Sequence, residues 1–287
     1  RLDFAEYISI SNPDCLYACG GKRLVVFDPK KEIFEIYDLT TFKRSGAKMS
    51  RISGIVTDLY MGLMTGDKAL VSWADGDDAP DRRRYGLLKI PAMRVKPFQA
   101  KGTNAQGFRN RSYRDNIHIR FGPRMRHFVS WCTSHTPTGF IHGKIRGTRV
   151  TSNYEHDSYG SLSLLRDTSR AVGSIGRLLD PKGEVVHRFK GRDVLLFAVN
   201  GANMVIKVKK DKATVIDAAN MSEIQSFELP FEMEGSSWNK GDMTTDRLVF
   251  ASSYLNRAAF LDNSGRVIVV HKITGRSGTE ALADQLA

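Results

Sequence analysis

No apolar run in this sequence approaches the roughly 18 residues that a membrane-crossing helix needs; the densest, Val194-Leu195-Leu196-Phe197-Ala198-Val199, is six long. Helical periodicity is nearly absent, which points away from helix bundles and from α/β architectures. Cysteine is scarce and odd in number, with Cys15, Cys19 and Cys132 the three. A strand rising about 3.3 Å per residue would hold Cys15 and Cys19 about 13 Å apart, beyond disulfide reach. Reduced thiols and an intracellular, reducing compartment are therefore expected. No basic stretch leads into an apolar one near Arg1, so any initiator or targeting segment is expected to have been removed or left out. Acidic residues are also in short supply, 31 against 43 Lys and Arg, giving a formal net charge of +12. That balance favours anionic partners such as nucleic acid, acidic protein or an anionic surface. With 41% hydrophobic and 26% charged residues in 287, the chain is too apolar to be disordered and long enough to bury a sizeable core.

Short β-rich runs of four to six residues recur between Gly, Asp, Asn and Pro along the whole length, which predicts an all-β fold. The first cluster reads as a four-stranded meander: Cys15 to Cys19, Arg23 to Phe27, Glu32 to Tyr37 and Thr41 to Arg44. Its turns are Gly20-Gly21, Asp28-Pro29-Lys30-Lys31 and Asp38-Leu39-Thr40, all rich in turn-forming residues.

A period of roughly 40 to 50 residues in an all-β chain points to a propeller. Equivalent second strands begin at Leu24, Leu70, Phe128, Val172, Val205 and Leu248, and Val71-Ser72-Trp73 recurs as Val129-Ser130-Trp131. An apolar strand that ends in Asp and restarts after a short polar link occurs at Ile36-Tyr37-Asp38-Leu39-Thr40-Thr41 and again at Val215-Ile216-Asp217-Ala218-Ala219-Asn220. On these features the chain resembles the WD40 and YVTN-like β-propeller superfamily, although no Gly-His to Trp-Asp blade signature is present. The resemblance implies a β-propeller over 1–275 of about six four-stranded antiparallel blades, with seven also compatible. Six would fall at 12–50, 51–101, 115–156, 160–190, 192–230 and 235–273. Tyr7 to Ser11 would close the ring against the last blade. The tail 276–287 would hold a short helix, with Thr279 as its N-cap before Glu280.

The strongest local feature is the stretch from Asn104 to Phe128, where Arg109, Arg111, Arg114, Arg120, Arg124 and Arg126 are opposed only by Asp115. Phe108, Tyr113, Phe121 and Phe128 are interleaved, a mixture suited to phosphates and stacked bases. The plainer reading puts Ile117, Ile119 and Phe121 inward, His118 and Arg120 outward, and the other arginines on a loop between blades. Arg82, Arg83 and Arg84 follow an acidic stretch, Asp75 to Asp81, in the hairpin between the second and third strands of blade two. Pro80 and the lack of a distal Glu break a calcium-loop pattern there. Cys132, His135, His142 and His156 lack the close-paired spacing of a zinc knuckle.

No Gly-x-Ser-x-Gly elbow and no phosphate-cradling Gly loop occurs, and no motif calls for a cofactor or a metal. Trp73 and Trp131 read as core spacers rather than stacking platforms. The expectation is a non-catalytic propeller platform inside a larger assembly of protein subunits, with a basic face docking an acidic protein, RNA or DNA. The alternatives are a hydrolase or lyase working at the axial mouth with a divalent metal, and a structural component of a capsid or appendage.

Overall fold

The computed structural model describes residues 8, 12, 14–74, 84–98, 117–132, 137, 139–190, 194–198, 203–233, 239–243, 247–252, 257–262 and 267–272. They form strands joined by turns, in six sheets where every strand pairs antiparallel with its neighbours in sequence. The first sheet is β1 (Leu16–Gly20), β2 (Arg23–Asp28), β3 (Ile33–Asp38) and β4 (Lys43–Met49). The second is β5 (Ile55–Tyr60), β6 (Lys68–Ala74), β7 (Arg84–Lys89) and β8 (Arg94–Pro97), and the third β9 (Ile117–Phe121), β10 (His127–Cys132), β11 (Phe140–Arg146) and β12 (Arg149–Glu155). The fourth is β13 (Leu162–Leu164), β14 (Ala171–Gly173), β15 (Arg177–Leu179) and β16 (Val185–Arg188). Strands β17 (Val194–Ala198), β18 (Met204–Asp217) and β19 (Glu223–Met233) make the fifth, and β20 (Asn239–Met243), β21 (Arg247–Ser252), β22 (Arg257–Asp262) and β23 (Val267–Lys272) the sixth. All six expected second strands are second strands: Leu24, Leu70, Phe128, Val172, Val205 and Leu248 fall in β2, β6, β10, β14, β18 and β21.

The chain divides into two compact units, one of Glu6–His156 and one of Asp157–Ala287 with Arg1–Ala5. In the first unit, sheet packs on sheet. Val71 and Trp73 of β6 join Val25, Phe27, Phe34 and Ile36 in one core, while Leu70 of the same strand joins Ile119, Phe121 and Phe128 in the next. Alternate side chains of one strand thus feed opposite cores. A strand covered on both faces reads as a continuous apolar run instead of an alternating one, and β6 is buried from Ala69 to Ala74. Between Trp73 and Val71, Ser72 is fully buried, its hydroxyl bonded to Thr57 Oγ1 (2.7 Å) and Asp58 Oδ2 (3.0 Å). The repeated Val-Ser-Trp segment is therefore an interior motif, and Trp131, like Trp73, is buried. In the second unit, Leu165, Val172 and Leu178 pack against Leu196, Ala198 and Val205.

The fourth strand of the first sheet starts later than expected, at Lys43 instead of Thr41, and runs on to Met49. Asp38 Oδ1 accepts from the backbone N–H groups of Thr40 (2.8 Å) and Thr41 (3.3 Å), and Phe42 lies at φ 55°. Those bonds hold Thr40 to Phe42 in the turn.

The fifth sheet has three elements but four strands in substance. Extended at about 3.3 Å per residue, the 14 residues of β18 would span roughly 45 Å, yet Ala218 N donates to Asn203 O at 3.0 Å across its two ends. The chain must reverse within β18, and Lys210, at φ 56°, marks where. The half before it pairs with β17 and the half after it with β19. The equivalent bond in the first sheet runs from Leu39 N to Lys22 O at 2.9 Å.

Candidate interaction surface

In a four-stranded meander the turn after the first strand and the turn after the third lie at the same end of the sheet. In the first unit these turns interlock through main-chain bonds. Gly21 N donates to Leu63 O (2.8 Å), and Met64 N donates to Pro123 O (2.8 Å), which also accepts from Thr65 Oγ1 (3.0 Å). The first turns of sheets one, two and three are thereby chained in order. The approach leaves no room for a side chain at Gly62, where a Cβ would stand 2.6 Å from both Gly122 O and Pro123 O. The third of these turns is itself closed by Gly122 N to His127 O (2.9 Å) and Met125 N to Gly122 O (2.9 Å), with Met125 buried at φ 52°.

Because the three sheets share this end, their charges add. Exposed Lys22, Lys43, Lys89, Arg94, Arg124, Arg126, Arg146 and Arg149 lie in or beside its turns. Its carboxylates are Asp38 and Asp67, and Asp38 already pairs with Arg23 at 3.7 Å. Among the described residues no ion pair involves Lys22, Arg124 or Arg126. Crowding of positive charge is felt by half-buried His127, whose pKa is pushed down by burial and then by the Lys144 and Arg126 cations. A depressed histidine is neutral at pH 7, so the positive charge of this end comes from lysine and arginine.

The structure sorts the sequence candidates. Arg124 and Arg126 stand exposed on the interlocked turn. Arg120, also exposed, lies on β9 with its guanidinium 5.6 Å from the Trp131 ring centroid, and His118 stacks on the same ring at 5.3 Å. As expected, Ile119 and Phe121 face inward. Arg84 begins β7, at the end of the second sheet opposite to Lys89 and Arg94, so it does not share the surface of Arg124 and Arg126. Arg82, Arg83, Phe108, Arg109, Arg111, Tyr113 and Arg114 lie outside the described residues, as do His135, the tail helix proposed at Thr279 and, save Ile8, the segment Tyr7 to Ser11. Cys132 and His142 are buried in β10 and β11, where His142 pairs with Val129, while His156 is exposed and bonded to Tyr154 at 2.6 Å. Among the described residues no three His, Cys, Asp or Glu side chains gather as for a metal ion.

Sequence reasoning missed Lys22, Lys43, Lys89, Arg94, Arg146 and Arg149 because they are scattered along the chain. The signal was the parity of the turns: every second turn of a meander lies at one end, and charges summed by that rule separate the ends.

No protein-family model matches the chain, and no curated protein matches it. Solved structures do. The β-propeller domain of Cps50 (Swd1) from Myceliophteria thermophila superposes with a TM-score of 0.55 at 11% identity, covering 95% of this chain and 90% of that one. Hsv2 from Kluyveromyces lactis gives 0.56 at 11% identity over 91% and 82%, and a eukaryotic initiation factor gives 0.50 at 12% over 92% and 66%. The chain has the all-β propeller fold of these structures, with the six sheets of its described residues as blades.

Proposed function

We propose that this chain is a non-catalytic interaction platform within a larger assembly, and that the interlocked turn end of the Glu6–His156 unit is a basic face for an acidic protein or a nucleic acid. A propeller hosts many functions, so the reading rests on the surface. The observation that carries it is the set of exposed cations, Arg124 and Arg126 foremost, on turns fixed to one another by backbone bonds. Fixed turns present charge without the ordering cost that a loose loop incurs on binding. The thiol spacing supports placing the chain in a reducing compartment.

The test is a salt-titrated binding measurement with oligo(dT) and with polyglutamate, comparing the full chain with Arg124→Ala/Arg126→Ala. For oligo(dT), log affinity falls linearly with log salt by about 0.7 per phosphate contact. The double variant is expected to bind either probe more weakly at low salt and with a flatter slope, its stability changing by no more than about 0.5 kcal/mol per exposed substitution. Unchanged affinity and slope in a folded variant, or no binding of either probe by the parent, overturns the proposal.

A further inference from the structure

The turns that carry the cations also carry the one place, among the described residues, where two consecutive large apolar side chains are both exposed: Leu63, 42% exposed, and Met64, 50%. Their exposure is built in. Leu63 O accepts from Gly21 N on one side and Met64 N donates to Pro123 O on the other, so the backbone between them is tied to the turns that bear Lys22 and Arg124. The two bonds fix the peptide plane between Leu63 and Met64, from which both side chains project into solvent. An apolar pair held out to solvent between cations matches a ligand with apolar groups flanked by carboxylates. Bases stack on flat rings or guanidinium planes, which leucine and methionine do not offer, whereas a flexible methionine adapts to varied apolar partners.

We propose that Leu63 and Met64, with Lys22 and Arg124 beside them, form the docking site for a short acidic peptide segment of a partner protein whose apolar side chains rest on the pair. The site rests on the basic-face reading and narrows it to one partner chemistry. Asp67, exposed at the end of the same loop, is the one carboxylate there that a ligand's acidic groups avoid.

The experiment pans a random library of peptides about twelve residues long on the full chain and measures the selected peptides against three proteins: the parent, Leu63→Ser/Met64→Ser and Arg124→Ala/Arg126→Ala. Thermal unfolding confirms that each is folded, and Leu63→Gln/Met64→Gln stands in if the serine pair is not. Selected peptides are expected to combine Asp or Glu with Leu, Ile, Met or Phe, and to lose about tenfold or more in affinity with either pair changed. Acidic peptides without apolar enrichment, weakened by the arginine pair alone, would leave the basic face standing and overturn the site. The site also falls if oligo(dT) displaces the selected peptides and the apolar pair makes no difference to their binding. Peptides indifferent to both pairs overturn both readings.

Discussion

Aspartate closes the strands of this fold because its carboxylate accepts the backbone N–H groups that a turn leaves unpaired. Asp28 shows the energetics. It is buried, and its Oδ1 accepts from Asn12 Nδ2 (3.0 Å) and Lys30 N (3.0 Å), with Lys31 Nζ 3.3 Å from Oδ2. These bonds, Asn12's first, hold its pKa below the ordinary carboxylate value, and backbone bonds do the same for Asp38 and Asp157. A carboxyl depressed by folding adds stability above its unfolded pKa of about 3.9, and loses it as pH falls through the folded pKa. Equilibrium denaturation is therefore expected to show stability dropping on acidification below about pH 4. Asp28→Asn should be less stable than the parent near neutral pH and have a shallower acid limb; matching limbs would contradict the assignment. The Asp turns at Asp38 and Asp217 were legible in the sequence, since an apolar strand ending in Asp is a local signal. The left-handed backbone of Met125 and Thr168, at φ 52° and 61°, was not, because nothing in those side chains favours it.

The fifth sheet makes the corresponding point for an element. Its hairpin carries lysine where the backbone is left-handed, a conformation that costs an L-residue about 1 to 2 kcal/mol and glycine much less. Lys210 is exposed, so Lys210→Gly forfeits little packing. It is expected to stabilise the chain by about 0.5 to 1 kcal/mol after the entropy of glycine is counted, raising the melting temperature by about one to four degrees. A lower melting temperature would mean that β18 does not reverse at Lys210. Second strands were the easiest elements to find, because β2, β6, β10 and β14 are buried along most of their length and read as mainly apolar runs. The fourth strands were the hardest. β4, Lys-Arg-Ser-Gly-Ala-Lys-Met, is exposed along nearly all its length, so it has no hydrophobic pattern, and its charges suit a free sheet edge.

For the whole molecule the sequence conveyed the all-β class and about six repeats. It drew attention to Arg124 and Arg126 through local density of arginine, whereas turn parity sorts Lys22, Arg94 and Arg149 to an end of their own sheets and only packing brings those ends together. That knowledge comes from sheet packing, which no linear window contains. The thiols offer a test at this scale. Cys15, Cys19 and Cys132 are free, so thiol counting in denaturant without reductant should find three. Cys15 should react slowly at neutral pH, since burial and then the Asp28 and Glu35 carboxylates push its pKa up. Recovery of a single thiol would contradict the proposed reducing compartment.

The chain of turns from Gly21 through Leu63 and Met64 to Pro123 is joined chiefly by main-chain atoms. The scaffold asks for glycine at Gly62 and for a left-handed backbone at Lys22, φ 62°, but makes no demand on the side chains that Leu63, Met64 and Arg124 turn outward. Mutation can rewrite those letters without disturbing the frame that displays them. A lineage built on this frame can exchange one binding partner for another by a few surface substitutions, and a protein engineer can do the same.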